Sequence, residues 1–343
     1  MLRQGKIRFV FVFFHTFVLV LSISFVMKMR SLAVVVVLFC AVFASCHRLP
    51  EGALSGVFSV SPTQQVRFSK GNLQYHFTTE NHLCIDSTEQ TGVWRFAEQQ
   101  YDVIGYDNRN HLVAIDLFGW GTSSYHDDTD SNNVHYYPFD TMRTEVSHDF
   151  NFFGYGPSTN MPSPDLVGSS RCYDWGVYNA IENGGNVPDL WRTPTASEWD
   201  YLFCQRSAST VAGVSNARFC KATVCGMGGI VLFPDSYEHP SSAPMPTAIN
   251  NDTAAFDVNV FDSRAWRTMQ ARGAVFLPAA GARDKSQVAG MGHEGRYWSA
   301  TNDGSYIAYS LHFYDGAIHT QYPDNRLYGF SVRLVQEVRE DER

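Results

Sequence analysis

Acidic residues are missing from the first 45 positions, which hold five basic ones, Arg3, Lys6, Arg8, Lys28 and Arg30. Beyond them it is the basic residues that are scarce. Without residues 1–45 the Lys and Arg count falls from 26 to 21 while Asp and Glu stay at 34, a formal charge of −13. Such a surface repels phosphate backbones, so nucleic acid is not expected as a partner. No apolar run long enough to span a bilayer follows residue 45, and there is no internal repeat. GxSxG elbows, HExxH motifs and Walker loops are absent, which leaves no signature of a hydrolase triad, a zinc protease or a P-loop enzyme. Cysteine is sparse. After Cys46 come Cys84, Cys172, Cys204, Cys220 and Cys225, an odd number that leaves one thiol free however the others pair. The spacing from Cys220 to Cys225 is not that of a zinc knuckle, and these cysteines read mostly as small buried side chains.

The N-terminus describes an export signal. Lys28 and Arg30 precede an apolar run over 32–43 that is too short to span a bilayer, and Ala44-Ser45-Cys46 follows. Phe43-Ala44-Ser45-Cys46 resembles the lipobox of bacterial lipoproteins, with Phe43 where Leu is usual. The resemblance implies lipidation of Cys46 and a protein exported, lipid-anchored to the bacterial outer membrane and surface-exposed. The earlier run over 9–26 carries His15, Thr16, Ser22 and Ser24, and Met27 or Met29 would open a signal peptide of ordinary length. Residues 1–26 therefore read as an upstream extension from a misplaced start codon; a membrane helix is the other reading.

Residues 46–56 form a short tether, and 57–169 a β-rich N-terminal portion. With 25 Phe, 17 Tyr and 7 Trp, the chain suits a fold rich in strands, loops and aromatic clusters. Period-two patterns mark strands at Phe58 and Val60, Val66 and Phe68, Leu73 to Phe77, Trp94 and Phe96, and Tyr101 and Val103. Polar turns separate them at 107–111 and 125–133. Helices are expected over 175–183, stopped by Gly184-Gly185, and over 195–203. There Thr195 and Glu198 make a capping box, and Trp199, Leu202 and Phe203 share one face. A weaker helical pattern spans 257–270. Strands are expected over 273–278, 297–299, 308–313 and 329–335.

Four segments in order carry a family resemblance: Leu190-Trp191-Arg192-Thr193-Pro194-Thr195-Ala196-Ser197-Glu198-Trp199, Phe276-Leu277-Pro278-Ala279-Ala280-Gly281-Ala282-Arg283, Gly295-Arg296-Tyr297-Trp298-Ser299-Ala300-Thr301, and Arg326 to Val335. They resemble C-type-lectin-fold proteins of the formylglycine-generating-enzyme-like branch, and more narrowly the variable proteins of diversity-generating retroelements. The fold class implied is α+β, with a C-type-lectin-like domain over 170–336 behind the β-rich N-terminal portion. The function implied is non-catalytic ligand binding at the cell surface, through a variable region over 295–335, with a protein, glycan or phage component as ligand. Trp191, Trp199, Phe276, Trp298, Phe313 and Phe330 read as core. Arg192 and Arg333 read as buried partners of carboxylates.

Between the core positions, the window behaves differently. Asn302, Asp303, Ser305, Tyr306, Ser310, His312, Tyr314, Asp315, His319, Tyr322, Asp324, Asn325 and Tyr328 give a paratope-like mixture of rigid aromatics and short polar groups. An ordinary polar hairpin has a similar composition. In the resembled family, adenine-directed mutagenesis rewrites Asn codons. Tyr, His, Asp, Ser and Ile lie one base from AAC, whereas Gln321 does not and belongs to the fixed frame. By period two, Leu311 and Phe313 should point inward and Ser310, His312 and Tyr314 outward, with Asp315, His319, Tyr322, Asp324 and Asn325 in connecting loops.

No enzyme is expected. The formylglycine-generating chemistry implied by the wider branch uses late cysteine thiolates on copper, and no cysteine follows Cys225. No metal or other cofactor is expected either. The Glu-Pro-Asn and Gln-Pro-Asp signatures of calcium-dependent lectins are absent, Tyr322-Pro323-Asp324 lacks the leading carboxamide, and the acidic run 127–132 lacks the glycine and distant Glu of an EF-hand. A structural or adhesin-like surface subunit remains the alternative function, with an enzyme of the formylglycine-generating-enzyme-like type behind it.

Overall fold

A computed structural model describes residues 49–77, 92–104, 114–125, 165–284, 287–304 and 306–339. The leader, Cys46, Cys84, Ser305 and the polar stretches at 107–111 and 127–133 lie outside the described residues. Leu49–Arg343 is one compact unit, and its fold is mixed and strand-rich.

Alternation builds the first strands. β1 (Phe58–Ser59) pairs antiparallel with β2 (Gln65–Phe68). Val66 and Phe68 are fully buried while Gln65 and Arg67 are half-buried, as in a sheet covered on one face. β3 (Leu73–Phe77) runs between β4 (Gly92–Phe96) and β5 (Ala114–Ile115). The strand expected at Tyr101 and Val103 does not form. That segment is a turn, and the Ile104 N–H donates to Asp116 Oδ2 at 2.7 Å instead of to a neighbouring strand.

Helices are few and short. α1 (Trp175–Tyr178) stops five residues before the expected end, because the chain turns extended at Asn179. Asp174 caps it, accepting from Gly176 N at 3.0 Å, and binds Thr193 N at 2.8 Å. Burial pushes the Asp174 carboxyl up to about 6, against the pull of those two amides. A carboxyl raised in the fold above its unfolded value of 3.8 keeps extra protons on the native state. Its contribution is therefore most favourable below pH 4 and is lost as pH rises through 6, by about 3 kcal/mol in all. Urea unfolding of wild type and Asp174→Asn between pH 4 and pH 7 is expected to show wild type losing ground to the variant as pH rises. A constant difference would show that Asp174 titrates normally.

α2 (Ala196–Asp200) has the expected capping box: Thr195 Oγ1 accepts from Glu198 N, and Glu198 Oε2 accepts from Thr195 N. The helix runs on as one π-helical turn (Tyr201–Gln205), and Trp199, Leu202 and Phe203 are all buried. Arg192 grips the Glu198 carboxylate with two nitrogens, each at 2.7 Å. Arg333 departs from expectation. It is fully buried, but its partners are the amide oxygens of Asn72 (3.2 Å) and Gln100 (2.8 Å), not a carboxylate.

β6 (Phe219–Val224) and β7 (Met227–Leu232) form a hairpin. Its loop, Cys225-Gly226, has positive φ at both positions, the geometry that matches strand twist in a two-residue hairpin. β8 (Val260–Phe261) joins β6 in parallel, α3 (Ser263–Ala271) follows under an Asp262 cap, and β9 (Val275–Pro278) pairs with β7. β10 (Ala282–Asp284) and β11 (Gln287–Ala289) make a ribbon. β12 (Glu294–Asn302), β13 (Ile307–Tyr314) and β14 (Ala317–Asn325) form an antiparallel meander, and β15 (Val335–Glu337) returns to pair with β2. Residues 329–334 do not form the continuous closing strand expected. They make single bridges to Arg283, Phe118 and Tyr297, stitching separate sheets together.

All seven tryptophans are buried, and the six aromatics expected in the core are at most 1% exposed. Among the described cysteines only Cys220 is buried. Cys172 is half-buried and Cys204 and Cys225 are exposed, so small buried side chains describe only one of the four.

Candidate functional site

One face of the β12–β14 meander is core. Tyr297, Leu311 and Phe313 point into it, each fully buried, and Gly295 lies opposite Phe313 because any side chain there would strike the phenyl ring. The other face carries the candidate site.

Period two alone does not assemble that face. Ser310 pairs with Tyr322, but His312 pairs with His319, so β14 holds one extra residue against β13. This bulge turns His319 and Tyr322, of opposite parity in sequence, toward the same partner. The His312 ring centroid lies 5.9 Å from that of His319, 4.9 Å from Tyr322 and 5.3 Å from Tyr314. The four rings form a tilted layer.

A charged layer lies beside the rings. Arg296 Nε donates to Glu294 Oε1 and Nη1 to Asp324 Oδ1, each at 2.5 Å, and Ser310 Oγ donates to Asp324 Oδ2 at 2.6 Å. The Arg296 guanidinium also sits 5.6 Å over Tyr322 and 5.3 Å over Phe330. His312 Nε2 is 2.9 Å from Glu294 Oε1, an ion-pair distance at which the N–H is off the line of a hydrogen bond. Contact with His312 holds the Glu294 carboxyl down to about 2, with Arg296 adding to it against the cost of burial. Burial raises Asp324, and Ser310 and Arg296 pull it back.

The hairpin tip is clamped from behind. Lys221, fully buried, donates to Asp252 O, Tyr314 O and Ala317 O at 2.6, 2.5 and 3.2 Å. Burial brings its ammonium down to about 8, against the pull of Asp315 and Asp252. Asp315 Oδ1 accepts from Phe256 N at 2.9 Å, and Gly316 supplies the positive φ of the turn.

The expected site residues divide. Tyr306, Tyr314, Tyr322 and Tyr328 are between 37% and 56% exposed, and Asp303, Asp315 and His319 are exposed as well. Asn302 and Asn325 are half-buried, with Asn302 N donating to Asp165 and Asn325 Oδ1 capping Leu327 N. Ser310, His312 and Asp324 are buried, which corrects their placement at the surface: each is covered by its neighbours in the ring and charge layers. His319, Tyr322, Asp324 and Asn325 stand on β14 itself and not in loops. Gln321 is tied to α2 through Ala196 O at 3.4 Å, and Thr320 to Asp200 at 2.9 Å. Sequence reasoning missed Glu294 and Arg296. Their spacing of two puts them on one face, but only the register opposite Tyr314 and His312 reveals what they face.

Among the described residues, no group of three His, Cys, Asp or Glu side chains is placed to hold a metal ion. Nor is any helix among them long and apolar enough to cross a membrane. Residues 256–335, which contain the whole meander, match a family described as a domain of unknown function (DUF8237). No curated protein and no solved structure matches the chain.

Proposed function

We propose that this chain is an exported, lipid-anchored, non-catalytic binding protein of the C-type-lectin-like kind, whose ligand surface is the outer face of the β12–β14 meander. Its partner is a protein, glycan or phage component, its only membrane attachment is the lipid on Cys46, and nucleic acid is not bound. One observation carries the reading. Tyr314, His319 and Tyr322 are exposed on a sheet whose reverse face buries Tyr297, Leu311 and Phe313, and Tyr306 is exposed just ahead of β13, so none of the four belongs to that core. Tyrosine supplies contact area at low entropic cost, which suits a surface that binds by replaceable side chains. The bulge in β14 and the Lys221 clamp support the face through backbone contacts that do not use those side chains.

Display of the protein with Tyr306, Tyr314, His319 and Tyr322 randomised, panned on purified lysozyme and on streptavidin, tests this. Folded variants binding each target at roughly micromolar affinity or better are expected, without cross-binding. A library whose members mostly fail to fold, or which yields no binder to either protein, would contradict the proposal.

A further inference from the structure

Lys221 reaches the tip of the meander from beneath. Its side chain is fully buried on β6 and donates to Asp252 O at 2.6 Å, Tyr314 O at 2.5 Å and Ala317 O at 3.2 Å. Two of these carbonyls flank the β13–β14 turn, where Tyr314 pairs with Ala317 across Asp315-Gly316. The third belongs to the loop that leads into Phe256. Asp315 ties that loop to the turn a second time, accepting from Phe256 N at 2.9 Å, and the Lys221 ammonium lies 5.7 Å over the Phe256 ring.

The donor count depends on the proton. An ammonium has three N–H groups and no lone pair, and three carbonyls take them here. A neutral amine keeps two N–H groups and gains a lone pair, so one carbonyl loses its donor and faces that lone pair. Ala317 O, at the longest of the three distances, is the one expected to let go. It stands at the start of β14, two residues before His319.

The surroundings set how readily the proton leaves. Asp315 in the turn and Asp252 in the loop favour the charged form, but burial opposes it and is the larger effect. The strands on either side of β6, β7 and β8, carry no ionisable side chain, and Asp257 on the turn over 256–258 is exposed. The amine therefore titrates just above neutral pH, well below an ordinary lysine.

We propose that Lys221 is a positioning residue for the meander face, and that loss of its proton releases the start of β14 and loosens His319 against Tyr314. With the proton in place, the turn is held and the two rings keep their 6.2 Å spacing. What the switch governs rests on the reading of the meander face as the ligand surface. The switch itself is a property of the turn and is tested without a ligand.

The test is an NMR titration from pH 7 to pH 10 with 13C in the lysine side chains and the alanine methyls. The Lys221 Cε resonance is expected to titrate, and the Ala317 methyl to shift and broaden with the same midpoint. The cross-peak between the Tyr314 and His319 rings should weaken over that range. Ala300 and Ala308, buried on the same meander away from the turn, should not respond. Lys221→Met has a side chain of similar length without a donor. Its Ala317 methyl should show the released signal already at pH 7 and stay there to pH 10, which also controls for other groups that titrate in this range. Where that variant does not fold, the wild-type titration decides alone. An Ala317 methyl and a ring cross-peak unchanged while Lys221 titrates, a Lys221 still charged at pH 10, or the wild-type pH response in Lys221→Met would overturn the proposal. Panning of the randomised library judges the ligand surface separately, and its failure beside a responsive turn would remove that reading and leave the switch.

Discussion

Trp298→Ala is expected to lower the thermal midpoint by roughly 10 °C, the consequence of losing about 3–5 kcal/mol from a core aromatic in a chain of this size. Trp298 is fully buried on β12 and packs its ring 4.3 Å from that of Phe330. Its Nε1 donates to Phe118 O at 2.6 Å, and its own carbonyl accepts from Trp199 Nε1 at 3.4 Å. Removing the indole opens a cavity where the meander meets residues 118 and 330, and leaves the Phe118 carbonyl without that donor. The four-residue variant Tyr306, Tyr314, His319 and Tyr322→Ser should behave in the opposite way. All four are exposed, and surface changes usually cost no more than about 0.5 kcal/mol each, so a shift of a few degrees is expected. Calorimetry of the two proteins side by side decides the point. If the four-residue variant melts with Trp298→Ala, those side chains are scaffold and not a binding layer.

Cys46→Ser is expected to abolish incorporation of labelled palmitate and to move the protein from the membrane pellet to the soluble fraction. The motive is the sequence before it: Lys28 and Arg30, the apolar run over 32–43, and Ala44-Ser45 at the cut. Each buried methylene of an acyl chain contributes about 0.8 kcal/mol of membrane binding, so two or three chains anchor firmly where none leaves only weak surface contact. The chain beyond residue 45 has no apolar run to substitute for them. Equal labelling of both proteins would refute the lipid anchor.

Local signals were legible and long-range ones were not. The α2 start is written into Pro194, Thr195 and Glu198, because a capping box closes within four residues. Leu311 and Phe313 could be assigned inward because alternation within one strand needs no partner. The α1 end at Asn179 could not be read, since Asn179 turns extended and its side-chain amide donates to Ser123 O, 56 positions away. The amide partners of Arg333 come from residues more than 230 positions away. The site itself turns on the β14 bulge. Without it His319 would face away from Tyr322, and nothing in the spacing of the two residues announces the extra one. Register between strands likewise decided that Ser310, His312 and Asp324 are covered, and that Glu294 and Arg296 belong with them.

The central claim is that a fixed frame carries a face free to vary. The most direct measurement is deep sequencing of the gene from a population of cells that carry it, read over the codons for 295–335. Base changes are expected to concentrate at adenines in the codons of exposed face residues, Tyr306, Tyr314, His319 and Tyr322 among them, and to spare Trp298, Phe313 and Phe330. Changes spread evenly along the segment, or as frequent at those three core positions as on the face, would contradict it.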